Sequence, residues 1–186
     1  MGKYEGILSF IKELDKLKSN PRTAWTTTGR EESVAEHSFR LAVFALVLKD
    51  EFPNLDFFKV LSMALIHDSG EVYEGDVSAK YEVDKGEKYR KELSGVTKLL
   101  ESLPVGIREE ILSIWQEYYE GKTDEAKFVK ALDKIETIIQ HNQGKNPPDF
   151  DYGFNLTYGK EYATFDPKME FLRNLVDNET RQKMET

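Results

Sequence analysis

The chain has 186 residues, with 34 acidic against 26 basic side chains, a formal charge of -8, 39% hydrophobic residues and no cysteine. That length and apolar content predict one domain with a buried core; the absence of cysteine excludes disulfides, thiol nucleophiles and thiolate metal sites, leaving His, Asp and Glu as strong ligands. The acidic balance argues against a nucleic-acid partner, and no stretch has the apolar length of a membrane span or a signal-peptide core, so a cytoplasmic protein acting on a small molecule is expected.

Helical periodicity dominates in chain order. Ile7, Phe10, Ile11, Leu14 and Leu17 form a first amphipathic stripe that Asn20-Pro21 ends. Ser33-Val34-Ala35-Glu36 has the form of a capping box, in which the Ser oxygen and the Glu carboxylate satisfy orphan backbone donors, and an apolar run to Leu48 follows. Asp56 caps a third helix over 57–69, stopped by Gly70. Tyr89, Leu93, Val96, Leu100 and Leu103 mark a fourth; Pro104 opens a fifth through Ile107, Ile111, Ile114, Trp115 and Tyr118, closed by Gly121. Phe128, Ala131, Leu132, Ile135 and Ile138 mark a sixth, and Asp166-Pro167 opens a last one carrying Phe171, Leu172, Leu175 and Val176.

No alternating strand pattern and no internal repeat is found, so the expected fold is an all-α, single-domain helical bundle. The exception is 142–165, NQGKNPPDFDYGFNLTYGKEYATF. A connection this long without structure is more often a lid, binding loop or interface than a linker.

Several ionisable groups sit on apolar faces. His37 precedes Leu41, Phe44 and Leu48 at helical spacing; His67 follows Val60 and Met63; Asp68 follows Leu61, Ala64 and Leu65; Asp133 flanks Leu132. A single buried His is usually a hydrogen-bonded core residue. A buried carboxylate without a partner is far more costly. A divalent cation held by His37, His67, Asp68 and Asp133 removes that cost and leaves positions open for water and substrate oxygens. An ion-paired core, with Lys130 or Lys134 opposite Asp133, is the alternative, and it leaves the two His unexplained.

His37 in SVAEH, His67-Asp68 in ALIHD and Asp133 in KALDKIE, in that order, resemble the H…HD…D signature of the HD-domain metal-dependent phosphohydrolases. PRTAW at 21–25, HDSGEVYEGD at 67–76 and the ALDKIE helix further resemble the YfbR-like 5′-deoxynucleotidases and the oxetanocin-type branch. The resemblance spans nearly the whole chain and implies a helical bundle of the HD-domain type, a homodimer, and hydrolysis of (deoxy)nucleoside 5′-monophosphates to nucleoside and phosphate. It implies one divalent metal ion, whether Mn, Co, Fe, Ni or Zn, on His37, His67, Asp68 and Asp133, with Glu71 acting on the nucleophilic water. It puts Arg22 on the phosphate, and Asp76 near the sugar 3′-hydroxyl, where crowding disfavours a 2′-hydroxyl. Trp25 would pack near the sugar or base, although a large aromatic is more often core. Spacing alone sets Glu71 on the face of His67 and Asp68 only if the third helix persists another turn. Glu74, Asp84, Arg30 and His141 read as surface or structural positions.

Two other readings compete. The same site would suit another phosphoester, such as a nucleoside triphosphate, a cyclic dinucleotide or an alarmone, although no extra basic segment is visible to grip a polyphosphate. A metal-stabilised helical scaffold without turnover is the second, and Glu71 and Asp76 argue against it, since a structural site has no use for them.

Overall fold

The computed structural model describes residues 2–76 and 84–185. Helix α1 spans Lys3–Glu13 and continues as a 3₁₀ turn, Leu14–Lys18. A hairpin of β1, Pro21–Trp25, and β2, Glu31–Ser33, leads into α2, Val34–Val47. Helices α3, Phe57–Ile66, α4, Lys85–Leu100, α5, Val105–Glu120, and α6, Asp124–Gln143, follow. A short α7, Lys160–Ala163, and a long α8, Pro167–Met184, close the chain. None of the helices among the described residues is long and apolar enough to cross a membrane.

The capping chemistry expected from the sequence is in place. Ser33 Oγ accepts from the Glu36 amide at 3.3 Å and the Ser33 amide donates to Glu36 Oε2 at 2.9 Å, the reciprocal pair that starts α2. Asp56 accepts from the Phe58 and Lys59 amides to start α3, and Asp166 accepts from the Lys168 amide with Pro167 in the first turn of α8. Helices α2, α3, α6 and α8 then pack around one core that includes Leu41, Val60, Met63, Phe128, Leu132 and Ile138. Each such side chain contributes about 1.5–3 kcal/mol on leaving water. On α8 the inward face differs from the expected stripe: Met169, Val176 and Thr180 are buried, whereas Phe171 and Leu175 lie outside. Ile11 on α1 is exposed as well.

Three further local readings are corrected. The chain does contain strands, because β1 and β2 pair antiparallel across a Thr26–Gly29 turn; at five and three residues they are too short to show alternation. Helix α3 stops at Ile66, three residues early, and His67 and Asp68 lead into a 3₁₀ turn, Ser69–Val72. This turn lies backbone to backbone on α4: a Cβ on Gly95 would stand 2.2 Å from the Gly70 carbonyl oxygen. The 142–165 segment is not a structureless loop. It holds the end of α6, a 3₁₀ turn at Tyr152–Leu156 and α7, and the buried Arg173 of α8 pins it by donating to the carbonyls of Asn155 and Tyr158, each at 2.7 Å.

Candidate metal centre and active site

The N-terminal turn of α2, the C-terminal end of α3 and the middle of α6 meet at one point. His37 is fully buried there, and its Nε2 lies 3.2 Å from Asp133 Oδ1 and 3.8 Å from Asp68 Oδ2. His67, the C-cap of α3, has its ring 5.2 Å from that of His37, and its Nε2 lies 3.0 Å from Asp68 Oδ2. The indole of Trp115 anchors this end of α3 by donating to the His67 carbonyl at 3.0 Å. His67 Nδ1 faces the Ala64 carbonyl at 3.0 Å, a contact that requires Nδ1 to carry the proton. In the neutral imidazole its Nε2 is then an acceptor pointing at a carboxylate, which is repulsive unless a cation lies between them. Both Nε2 atoms are buried with no hydrogen-bond partner among the described residues. His37, His67 and Asp133 offer ligand atoms within 4.8 Å of one another, so the cluster could hold a metal ion, and its donor set of imidazoles and carboxylates fits a divalent cation.

The surrounding groups hold these side chains in place. His37 Nδ1 contacts Glu136, which Arg40 also grips, the kind of outer partner that fixes an imidazole's orientation. Although burial and Arg22 disfavour its charge, Glu136 and Asp133 push His37 up to about 9. Asp133 Oδ2 accepts from Lys134 at 2.8 Å and from Tyr118 at 3.0 Å; despite burial, Lys134 and His37 hold its carboxyl well below the ordinary range. Asp68 is likewise held low against burial, by His67 and His37.

Above the cluster opens a cleft of about 620 Å³ that Arg22, Asp68, Glu71, Asp76 and Asp133 line together. Glu71 reaches it from the 3₁₀ turn after α3, not from a continued helix. Asn20 donates to the Glu71 carbonyl at 2.8 Å, and Glu71 Oε2 is buried without a hydrogen-bond partner among the described residues. Burial, then Asp68 and Asp76, raise its carboxyl well above the usual carboxylate range. Asp76 is raised too, mainly by burial. Arg22, on β1, donates to Glu32 at 2.9 Å and to Thr137 at 3.1 Å, and the carboxylates around it outweigh burial and raise it above its ordinary value. Trp25 is not among the cleft-lining side chains; its ring packs edge-on against Phe150, which is, at 5.9 Å. A more open apolar hollow of about 700 Å³, lined by Ile11, Leu14, Phe39 and Leu65, holds none of these groups.

The sequence alone does not single out Glu136, marks Tyr118 only as part of the fifth helix's apolar stripe, and marks Lys134 only as one of two alternative ion-pair partners of Asp133, the place it takes. A signal for Glu136 exists: Asp133, Glu136, Thr137 and Gln140 form a polar stripe beside the apolar residues of α6, and all four are buried. His141 is buried, not superficial, and its Nδ1 meets Asn155 Oδ1 at 2.8 Å. Part of the cleft wall comes from the 142–165 segment through Phe150, Phe154 and Tyr158.

A helical bundle bringing an imidazole from one helix, a His-Asp pair from the end of a second and an Asp from a third under one cleft has the HD arrangement. Residues 14–173 match the HD domain family model, and the chain belongs to that family. The 5′-deoxynucleotidase HDDC2 of Mus musculus is 37% identical over 144 residues, 76% of this chain and 71% of the relative. The Xenopus laevis protein of the same name is 36% identical over 162 residues, 84% of this chain and 80% of the relative. A crystal structure of a predicted metal-dependent phosphohydrolase from Magnetospirillum magnetotacticum aligns with a TM-score of 0.81 at 28% identity, over 97% of this chain and 94% of that one.

Proposed function

We propose that this protein is a metal-dependent 5′-deoxynucleotidase that hydrolyses nucleoside 5′-monophosphates to nucleoside and phosphate, with a preference for the deoxy sugar. The observation that carries the reading is the pair of partnerless buried imidazole nitrogens, aimed with two carboxylates at one point below the cleft. The names of the relatives support the substrate class.

In this reading His37, His67, Asp68 and Asp133 hold one divalent cation. When bound, it supplies Lewis acidity, acidifying water and offsetting charge on phosphoryl oxygens. Glu71 takes the proton of the attacking water, a role suited to a buried carboxylate whose basicity is raised by its neighbours. The water oxygen forms the new bond to phosphorus, the bond to O5′ breaks, and that oxygen leaves with the electron pair and gains a proton. Arg22, steadied by Glu32 and Thr137, keeps N–H donors for phosphate oxygens. Asp76 accepts from the sugar 3′-hydroxyl, and Trp25 acts on the base side by backing Phe150.

The reading extends to a single HD domain, working in the cytoplasm as a homodimer and without nucleic-acid or membrane partners. The net charge of -8 supports the exclusion of nucleic acid. Exposed Phe39, Val43, Leu46 and Val47 along one face of α2 support self-association.

The test is phosphate release from deoxy- and ribonucleoside 5′-monophosphates, with the protein stripped by chelator and reloaded in turn with Mn, Co, Fe, Ni or Zn. Release restored by metal and favouring deoxy substrates is the expected result. A fully loaded protein that leaves every monophosphate intact overturns the reading.

A further inference from the structure

Five cationic side chains line the cleft: Arg22, Lys85, Lys88, Lys130 and Lys134. Arg22, Lys88 and Lys134 are each matched to a carboxylate, Glu32 at 2.9 Å, Glu92 at 3.3 Å and Asp133 at 2.8 Å. Lys85 is exposed at the start of α4. Lys130 differs from all of them. It is half-buried, and among the described residues no carboxylate stands within ion-pair distance of it. Its Nζ instead lies 4.3 Å over the ring of Tyr118.

The backbone around the two α6 lysines is shaped for them. Gly121, at φ 65°, would place a Cβ 2.8 Å from Lys130 Cε, and Gly159, at φ 60°, would place one 2.4 Å from Lys134 Cγ. Glycine suits both turns twice over, by its positive φ and by the room it leaves for a lysine stem lying flat on the chain. Lys130 also precedes Asp133 by three residues, so both stand on the same face of α6. A half-buried ammonium one helical turn from a second ammonium, with the rings of Tyr118, Tyr119 and Tyr162 at 4.3, 5.8 and 5.9 Å and no carboxylate within ion-pair distance among the described residues, is short of an anion.

We propose that Lys130 is an anion-binding residue of the cleft that takes a non-bridging phosphoryl oxygen of the substrate, complementing Arg22 from the α6 side. Lys134, already bonded to Asp133, positions that carboxylate, and Lys130 meets the ligand. The proposal rests on the phosphomonoester reading above and names a phosphate contact on this chain for it. A purely structural lysine would serve only to brace Tyr118.

The test measures binding of inorganic phosphate to the metal-loaded protein by titration calorimetry, for wild type, Lys130→Met and Lys130→Gln, with Lys130→Arg as the conservative variant. Loss of one charge-assisted hydrogen bond predicts phosphate binding weaker by about tenfold or more in the Met and Gln variants. Metal content and melting temperature stay at the wild-type level, nucleotide KM rises, and the Arg variant recovers most of the affinity. The two neutral variants differ in how they pack on Tyr118, so a loss common to both reports the charge. A smaller loss in both overturns the proposal, as does a metal-loaded wild type that binds no phosphate. A wild type that binds phosphate but cleaves no nucleotide overturns the hydrolase reading instead, and the Lys130 comparison is still decided by the phosphate titration.

Discussion

The two ends of the α2–α3–α6 bundle are built from the same helices and solve burial in opposite ways. At the apolar end, Phe128 meets Phe52 and Phe57 edge-on, with ring centroids 4.8 and 5.9 Å apart, and is itself fully buried. At the polar end, His37 Nε2, His67 Nε2 and Glu71 Oε2 are just as buried and have no hydrogen-bond partner among the described residues. Apolar surface needs only more apolar surface, whereas buried polar atoms need specific partners that the described residues do not supply to them. The bundle is thus finished at one end and left for ligands at the other, the pattern expected where function is held against stability.

The sharpest way to break this contrast is at the proposed metal ligands. His67→Ala or Asp133→Ala should reduce turnover to the uncatalysed background and lower metal content by elemental analysis, while the circular dichroism of the helices persists. Full turnover in either variant would contradict the assignment.

Glu71→Gln should retain metal and lose about 10²–10⁴-fold in kcat, the usual contribution of a positioned base. The same variant probes the unfinished end through stability. A carboxyl raised by burial favours the protonated form in the fold; its contribution is fully present below the ordinary value of 4.5 and is lost as pH rises through the raised value. The neutral Gln escapes that loss. Metal-free Glu71→Gln should therefore melt above metal-free wild type at neutral pH, by about 2–4 °C for each 1 kcal/mol, and the gap should close near pH 4. A variant that melts lower at neutral pH would count against a destabilising Glu71.

At the finished end, Phe128→Ala should cost about 3–5 kcal/mol in urea unfolding, because the cavity left between Phe52 and Phe57 cannot collapse fully. Its folded fraction should bind metal normally. Glu136→Gln is the mildest change, expected to weaken metal binding by about 10–100-fold through a less firmly oriented His37. A titration indistinguishable from wild type would remove Glu136 from the support of the site.

Much of this was legible in the chain. The capping box at Ser33, the Asp56 and Asp166 caps and the Gly121 stop are local chemistry, set by residues three or four apart, and they stand where the sequence puts them. His37, His67, Asp68 and Asp133 were visible because a polar residue on a regular apolar stripe is conspicuous. The hairpin and the 142–165 segment were not visible, because their order comes from distant partners. Arg173 holds the segment from α8, and Gln140 of α6 donates to the Trp25 carbonyl of β1. The roles of Lys130 and Lys134 were hidden for the same reason: at the sequence level either was an equal partner for Asp133, and only Lys134 takes that place.

By itself the sequence determined the helical class, the helix starts and the identity of the ionisable groups facing inward, because periodicity and capping act within a turn or two of the backbone. The tertiary structure decided that residues about thirty and then sixty-five positions apart converge, that Glu71 arrives on a 3₁₀ turn pressed against α4, and which lysine is left without a carboxylate. Those outcomes depend on how helices pack and on distances across the bundle, and no local pattern of residues encodes a distance between segments that touch only after folding.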